Sequence, residues 1–318
     1  MTAAGLLELR RLRLLRELSH RGTITAVGEA LHLSPSGVSQ QLNQLESEVG
    51  VPLLERAGRK LRLTEAARAL VAHTDAILSR LELASAEVAS LSGPPRGTVR
   101  IASFQTATHA LVLPVLAELN KHEHLTVQLS VVEPESALPS LLSRDFDIVI
   151  GEVYPGSPAE VVEDIEHTHL CADPLRFAVA DPQRVPDIRH AGNEIWVMEP
   201  RGAGARVWAT NLCRDAGFEP NVGFESDDMT AHVELIRRGH AVGFLPDLVW
   251  NGRPPDVPVV ALPGQARALF TAMRRAGDLR PATRIVRDAV HRQARSMSLD
   301  QPAPAPAAAL RQRTWKPR

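Results

Sequence analysis

The run Gly22-Thr23-Ile24-Thr25-Ala26-Val27-Gly28-Glu29-Ala30-Leu31-His32-Leu33-Ser34-Pro35-Ser36-Gly37-Val38-Ser39-Gln40-Gln41-Leu42 constrains this chain more than any other feature. It predicts a short helix, a tight turn and a second helix. Thr23 suits the cap of the first helix, and Ser34-Pro35 suits the opening of the next. Val38, Leu42 and Leu45 fall on one face of that second helix, at i, i+4 and i+7. Ser36, Gly37, Ser39, Gln40, Asn43 and Gln44 are left on the outward side. An ordinary surface helix carries Lys and Glu there. A neutral face of amides and hydroxyls suits base edges instead, because Gln and Asn bond an adenine edge with two hydrogen bonds and Ser bonds several edges or a phosphate.

A basic hairpin follows. Gly58 marks its turn, and Arg56, Arg59, Lys60 and Arg62 gather charge around it. Directly after a reading helix, such a loop is expected at phosphates or in a minor groove, with simple solvation as the alternative. Together a short helix, a tight turn, a second helix and a basic hairpin would present one helix to the DNA major groove and a positive loop to the flanking phosphates. The formal net charge of −1 gives no global attraction to nucleic acid, so local clusters must supply it.

Before the motif, a helix over about 6–21 is expected to bury Leu7, Leu14, Leu15 and Leu18 and to turn Arg10, Arg13 and Arg16 to solvent. In the first motif helix, Ala26, Ala30 and Leu31 are expected inside. Gly28 costs about 1 kcal/mol against Ala in a helix, so its presence suggests close approach of another helix. After the hairpin, Thr64-Glu65 caps a long helix to about residue 91. Leu70, Thr74, Ile77, Leu81, Ala84, Val88 and Leu91 step by four and three along it. That seam is expected where two copies wrap around one another, and a dimer can read two half-sites.

Ser92-Gly93-Pro94-Pro95-Arg96-Gly97 reads as a hinge. Beyond it the pattern alternates: strand 99–102, helix 108–121, strand 125–132, helix 135–143 and strand 148–150. A second run gives strands 175–180 and 195–198, helix 206–216, strand 222–225, helix 229–238 and strand 241–245. Strands 257–262 and 268–273 and a helix 282–294 close the series. The order predicts a mostly parallel sheet covered by helices, in two units with a cleft between them. From about Asp300 a Pro- and Ala-rich tail is expected to be disordered.

Strand ends and helix starts should line the cleft. Candidates from the first unit are Ser103, Phe104, Gln105 and Thr106, then Val132 and Glu133, and Gly151 and Glu152 at the crossing. Arg201 and Gly202 precede one helix of the second unit, and Ser226-Asp227-Asp228 another. Arg201 suits an anion, whereas the acidic residues favour an amine, so an anionic or amphoteric small molecule is expected. Ser226 and Asp227 are explained equally well as helix caps.

With these residues in view, the chain resembles the LysR-type transcriptional regulators. The resemblance runs from about Glu8 to Ala294. It is most specific in Thr25-Ala26-Val27-Gly28-Glu29-Ala30-Leu31-His32-Leu33-Ser34 and Val38-Ser39-Gln40-Gln41-Leu42. It continues in Leu45-Glu46, Gly50-Val51-Pro52-Leu53-Leu54-Glu55-Arg56, Leu63-Thr64-Glu65-Ala66, Asp147-Ile148-Val149-Ile150-Gly151, Pro200-Arg201-Gly202-Ala203-Gly204 and Gly243-Phe244-Leu245-Pro246.

The resemblance implies an α/β chain in four parts. Residues 1–63 are an all-α winged helix-turn-helix, 64–92 a dimerising linker helix, and 300–318 the tail. Residues 93–299 are a two-lobed effector domain like the periplasmic binding proteins, lobe I over about 97–163 and 274–298 and lobe II over about 164–273. It also implies double-stranded DNA and a small-molecule effector as partners, a homodimer and a homotetramer, and leaves RNA polymerase open as a further partner. DNA contact falls to Thr25, Ser34, Ser36, Ser39, Gln40, Asn43, Arg56, Arg59, Lys60 and Arg62. Asp227 joins the cleft residues above. Gly28 stands where the family usually has Ala, Gln40 and Asn43 where Arg is frequent, and Ala67 where Gly is frequent.

Rival classes are weaker. No Gly-x-Ser-x-Gly elbow, P-loop or Cys pair at metal spacing occurs, so neither catalysis nor a cofactor or metal is expected. His122-Glu123-His124 and His167-Thr168-His169 read as exposed turns. The two cysteines, Cys171 and Cys213, fit isolated thiols in a reducing cytosol. The N-terminus carries no signal-peptide pattern and no spanning segment is found, which argues against a periplasmic solute-binding protein and any membrane role, and points to the cytoplasm. A nucleoid protein would show sequence-blind DNA affinity.

Overall fold

Helix α1 (Leu9–Arg21) buries Leu12, Leu14, Leu15 and Leu18, and ends where Gly22 adopts φ 75° and returns its N–H to the Leu18 carbonyl. The computed structural model describes residues 7–57, 60–90, 95–157, 165–275 and 280–297. They divide into two compact units, Met1–Ser92 and Gly93–Arg318. In α1 the expected basic face is incomplete. Arg10 and Arg13 are exposed, but Arg16 is buried between Asp75 and Glu17, because its position faces the long helix and a buried cation needs carboxylate partners. Leu7 precedes the helix and is exposed.

Helix α2 (Ile24–Leu31) starts at Thr23, whose hydroxyl accepts from the Ala26 N–H. Its inward line is Val27 and Gly28, with Ile24 and Leu31 half-buried; Ala30, expected inside, is exposed. Gly28 does mark a close approach, but of the turn and not of a helix. A Cβ there would lie 2.7 Å from the Leu33 carbonyl oxygen. Helix α3 (Pro35–Val49) is capped by the Ser34 hydroxyl at the Gly37 N–H and buries Val38, Leu42 and Leu45 as the spacing predicts. Strands β1 (Leu54–Ala57) and β2 (Lys60–Leu63) pair Leu54 with Leu63 and Ala57 with Lys60. The Gly58 turn and Arg59 lie outside the described residues.

Helix α4 (Glu65–Ser90) follows Thr64, which caps the Ala67 N–H. The single seam expected along it divides into two stripes. Ala67, Val71, Thr74 and Leu78 are buried within the unit, on the side of α1. Ile77, Leu81 and Val88 stay exposed at 43%, 47% and 64%, and Ala84 is exposed with them. Leu91 lies outside the described residues.

The second unit holds a six-stranded sheet in the order β4-β3-β5-β10-β6-β9. Strands β3 (Gly97–Ser103), β4 (Leu125–Val131) and β5 (Ile148–Val153) run parallel, as expected. Strands β6 (Ile165–Ala178), β9 (Gly243–Pro246) and β10 (Val259–Arg274) pair antiparallel, so the sheet is mixed. Two differences from the sequence reading share one cause. The strands expected at 257–262 and 268–273 are one strand, β10, which begins at Val259 and has a register break between Ala261 and Ala266. Residues 167–169 lie in β6 and not in a turn. Both stretches carry Pro, Gly or charged residues that a sequence reader takes for interruptions. These two strands pair with each other along their length, reach β5 at one end and β9 at the other, and so serve both lobes.

Between β3 and β4 lies a helical run of α5 (Gln105–Ala107), a π-helical turn (Thr108–Val112) and α6 (Leu113–Leu119). With α7 (Pro134–Leu142) and α10 (Pro281–Ser296) it covers the first lobe, whose core includes Ile101, Leu111, Ile150, Leu269 and Val286. In the second lobe β7 (Ile195–Met198) and β8 (Asn221–Glu225) run parallel, flanked by α8 (Gly204–Asp215) and α9 (Met229–Arg237). Phe177, Trp196, Trp208 and Phe244 fill one side of it.

Candidate nucleic-acid interface and effector cleft

The outward face of α3 follows from its inward one. With Val38, Leu42 and Leu45 buried, Ser36, Gln40, Asn43 and Gln44 are exposed and Ser39 half-buried. Gln41 is on neither face, since Arg11 of α1 donates to its Oε1 at 3.3 Å and to Glu48 at 2.6 Å. These bonds fix α3 on α1. Ser34 is exposed, with its Oγ 3.2 Å from that of Ser36, and Thr25 is exposed at the start of α2.

Helix α3 contains no Lys or Arg, so cations must come from its surroundings. Arg62 is exposed on β2, and Arg10 and Arg13 on α1. Arg56 and Lys60 sit in the hairpin strands, Arg56 opposite Leu61. Glu46 holds that hairpin against α3: its Oε1 accepts from the N–H of Leu53 at 2.6 Å and of Leu54 at 2.9 Å. A carboxylate receiving two backbone donors makes strong bonds. The spacing between reading helix and wing is therefore set by α3 itself.

In the effector unit three of the sequence candidates, Phe104, Thr106 and Glu152, meet at a residue that the sequence reading missed. Arg267 of β10 is 4% exposed. Its Nε donates to Asp173 (2.9 Å), one terminal nitrogen to Glu152 (2.6 Å) and to the Tyr154 hydroxyl (3.4 Å), and the other to Thr106 (2.8 Å). The Phe104 ring lies 5.1 Å from the guanidinium carbon. Asp173 also accepts from the Leu248 N–H at 3.0 Å. Burial works against the charge on Arg267, but Glu152 and Asp173 more than offset it and raise its pKa well above the ordinary value. Burial likewise raises the Tyr154 pKa, with Glu152 adding to it, so the phenol stays protonated. A signal for this cluster existed: Arg267 is the one Asp, Glu, Lys or Arg across 257–273 and Asp173 the one across 167–175, and charged residues set in such stretches need partners when buried.

Of the other candidates, Ser103 is buried and donates to the Phe104 carbonyl. Gly151 is buried against Phe270, whose ring a Cβ would meet at 2.5 Å, so its role is to admit that ring. Val132 is half-buried and Glu133 exposed before α7. Arg201 and Gly202 form an exposed turn before α8, Gly202 at φ 98°. Asp227 is exposed, and the cap of α9 is its neighbour Asp228, which accepts from the Thr230 N–H at 2.8 Å. Gln105 reaches across to α9, bonding Asp228 and the Met229 N–H.

Two family models match the chain: the bacterial regulatory helix-turn-helix protein of the lysR family over residues 9–68, and the LysR substrate binding domain over residues 92–295. The chain belongs to the LysR family. It is 29% identical over 255 residues to the transcriptional dual regulator GltC of Bacillus subtilis (strain 168), covering 78% of this chain and 84% of that one. It is also 29% identical over 237 residues to a RuBisCO operon transcriptional regulator of Allochromatium vinosum, covering 73% and 76%. Among solved structures it is similar to a full-length OxyR variant from Pseudomonas aeruginosa, at a TM-score of 0.65 and 17% identity, covering 95% and 99% of the two chains. It is similar also to CbnR, a LysR family regulator, at a TM-score of 0.50 and 23% identity, covering 90% and 99%. This LysR-family chain thus joins a DNA-binding helix-turn-helix to a two-lobed effector domain, as a transcriptional regulator.

Redox chemistry finds little support in the two thiols. Burial pushes the pKa of both Cys171 and Cys213 up to about 12, so neither is a thiolate at neutral pH. Among the described residues no cluster of three His, Cys, Asp or Glu side chains could hold a metal ion, and no helix is long and apolar enough to cross a membrane.

Proposed function

We propose that this regulator reads double-stranded DNA with Thr25, Ser34, Ser36, Ser39, Gln40 and Asn43, and grips the flanking phosphates with Arg56, Arg59, Lys60 and Arg62. The observation that carries this reading is the exposed, neutral amide and hydroxyl face of α3 beside a hairpin anchored by Glu46. Affinity then comes from the wing and α1, and base choice from α3.

The exposed Ile77, Leu81 and Val88 of α4 are the seam of a homodimer, and two such dimers make a tetramer. The divisions are 1–63, 64–92, 93–299 and 300–318, with lobe I over about 97–163 and 274–298 and lobe II over about 164–273, the strands β6 and β10 running through both lobes. The protein works in the cytoplasm, is not an enzyme, and acts on RNA polymerase from its operator.

The effector lies between the lobes near Phe104, Thr106 and Glu152, with Arg201, Gly202, Asp227, Val132 and Glu133 at the rim. Around Arg267 one cation meets two carboxylates, which favours an amphoteric effector over a purely anionic one. Binding must favour one arrangement of lobes or dimers to change transcription. Sequencing genomic fragments bound by the purified protein, followed by footprinting with metabolites of the adjacent genes, tests this. A common sequence motif and a ligand-dependent footprint are expected; sequence-blind recovery of fragments overturns the reading.

A further inference from the structure

Gln105 joins the two lobes. It is the first residue of α5, and its neighbours Phe104 and Thr106 both meet Arg267. Its Oε1 accepts from the N–H of Met229 at 2.8 Å, and its Nε2 donates to Oδ1 of Asp228 at 2.9 Å. Met229 opens α9 and packs with Val197, Ile236 and Leu245 of the second lobe, whereas Phe104 belongs to the core of the first.

The first N–H groups of a helix have no partner within it. Here one of them is taken by a side chain more than a hundred positions earlier in the chain. The match has two signs, an acceptor set against an N–H and a donor set against a carboxylate. The Gln105 amide holds the Asp228 carboxyl below its usual pKa, so the carboxylate persists. A bare anion in the same place would meet the Met229 N–H favourably but face the charge of Asp228.

We propose that Gln105 is an interlobe latch that fills the donor–acceptor position an effector takes when it binds. Closure by Gln105 and occupancy by ligand are then alternatives, and displacement of the latch is the event that a bound effector transmits. This rests on the reading of the cleft as the effector site. The ligand class follows from the two partners. The incoming group must accept from an N–H and donate to a carboxylate, as a primary carboxamide does, or the paired ammonium and carboxylate of an amino acid.

Hydrogen exchange on the full-length protein tests the latch through residues 226–237. Gln105→Ala should raise exchange at the start of α9 about tenfold, the loss of one hydrogen bond, and leave β7 and β8 unchanged. Acetamide, which carries the missing donor and acceptor, should restore protection in that variant, and acetate should not. Gln105→Glu sets two carboxylates together and should also open the contact; adding Asp228→Asn exchanges donor and acceptor and should close it again. Wild-type exchange in Gln105→Ala overturns the proposal, as does rescue by acetate equal to that by acetamide. Should Gln105→Ala disturb the whole unit, failure of Asp228→Asn to repair Gln105→Glu overturns it. Operator binding by the same samples separates this failure from that of the regulator reading, which falls only if the wild-type chain itself ignores sequence.

Discussion

The guanidinium of Arg16 on α1 donates to the carboxylate of Asp75 on α4 over 2.5 Å, with Arg16 only 2% exposed. Glu17 shares the cation and is itself bonded by Arg21. The contact ties the helix behind the reading motif to the long helix. Removing one partner of a buried pair leaves the other's charge uncompensated. Asp75→Ala should therefore destabilise the N-terminal unit by about 1–3 kcal/mol, and Asp75→Asn by less, because an amide oxygen still accepts. Urea unfolding of the full chain measures this; an unchanged midpoint for Asp75→Ala refutes it.

Base choice and phosphate grip should separate by mutation. Gln40→Ala should relax preference at one operator position by about 1–3 kcal/mol. Arg62→Ala should weaken binding to every sequence and lower the salt slope by about one. Competition binding at several salt concentrations distinguishes the two. Equal, sequence-blind losses would show that α3 does not read bases.

The exposed stripe of α4 should behave as an interface. Ile77→Glu with Leu81→Glu should weaken self-association by about 3 kcal/mol or more, since each apolar side chain loses its burial and brings a charge. Sedimentation velocity should then show monomers where the wild type shows larger species. Wild-type assembly in the double variant would place the interface elsewhere.

The effector unit should lose stability in mild acid. His232 is buried beside the Ser226–Asp228 turn, with Nε2 2.8 Å from the Ser226 carbonyl. Burial lowers its pKa from 6.5, against the opposing pull of that bond and of Asp228 and Asp227. The unfolded chain takes up the proton first, so this stability is complete above pH 6.5 and is lost as pH falls toward the depressed folded value. Urea midpoints between pH 8 and pH 5 should fall, and His232→Gln, which keeps a donor, should reduce the slope. Burial also lowers the His291 pKa, so some slope remains. An identical slope in His232→Gln would exclude His232 as its source.

The sequence showed the motif helices well because local rules decide them. Ser34 and Thr23 cap, Pro35 opens, and Val38, Leu42 and Leu45 sit at helical spacing. It misled where a residue's partner is distant. Arg16 has the same local setting as Arg10 and Arg13, and only α4 makes it a buried residue. Thr74 and Ile77 share one heptad pattern, yet one faces the domain and the other solvent, since periodicity does not say against what a stripe packs. The Arg267 cluster draws on β5, α5, β6 and β10, whose meeting depends on topology. Gly28 pointed correctly to crowding but not to its source, a carbonyl in the turn after the helix.

Two uninterrupted ribbons, β6 and β10, run through both halves of the effector unit. A jaw mounted this way cannot swing on a slack tether. Any gaping must be absorbed as torsion of paired backbone, most easily where β10 slips its ladder between Ala261 and Ala266.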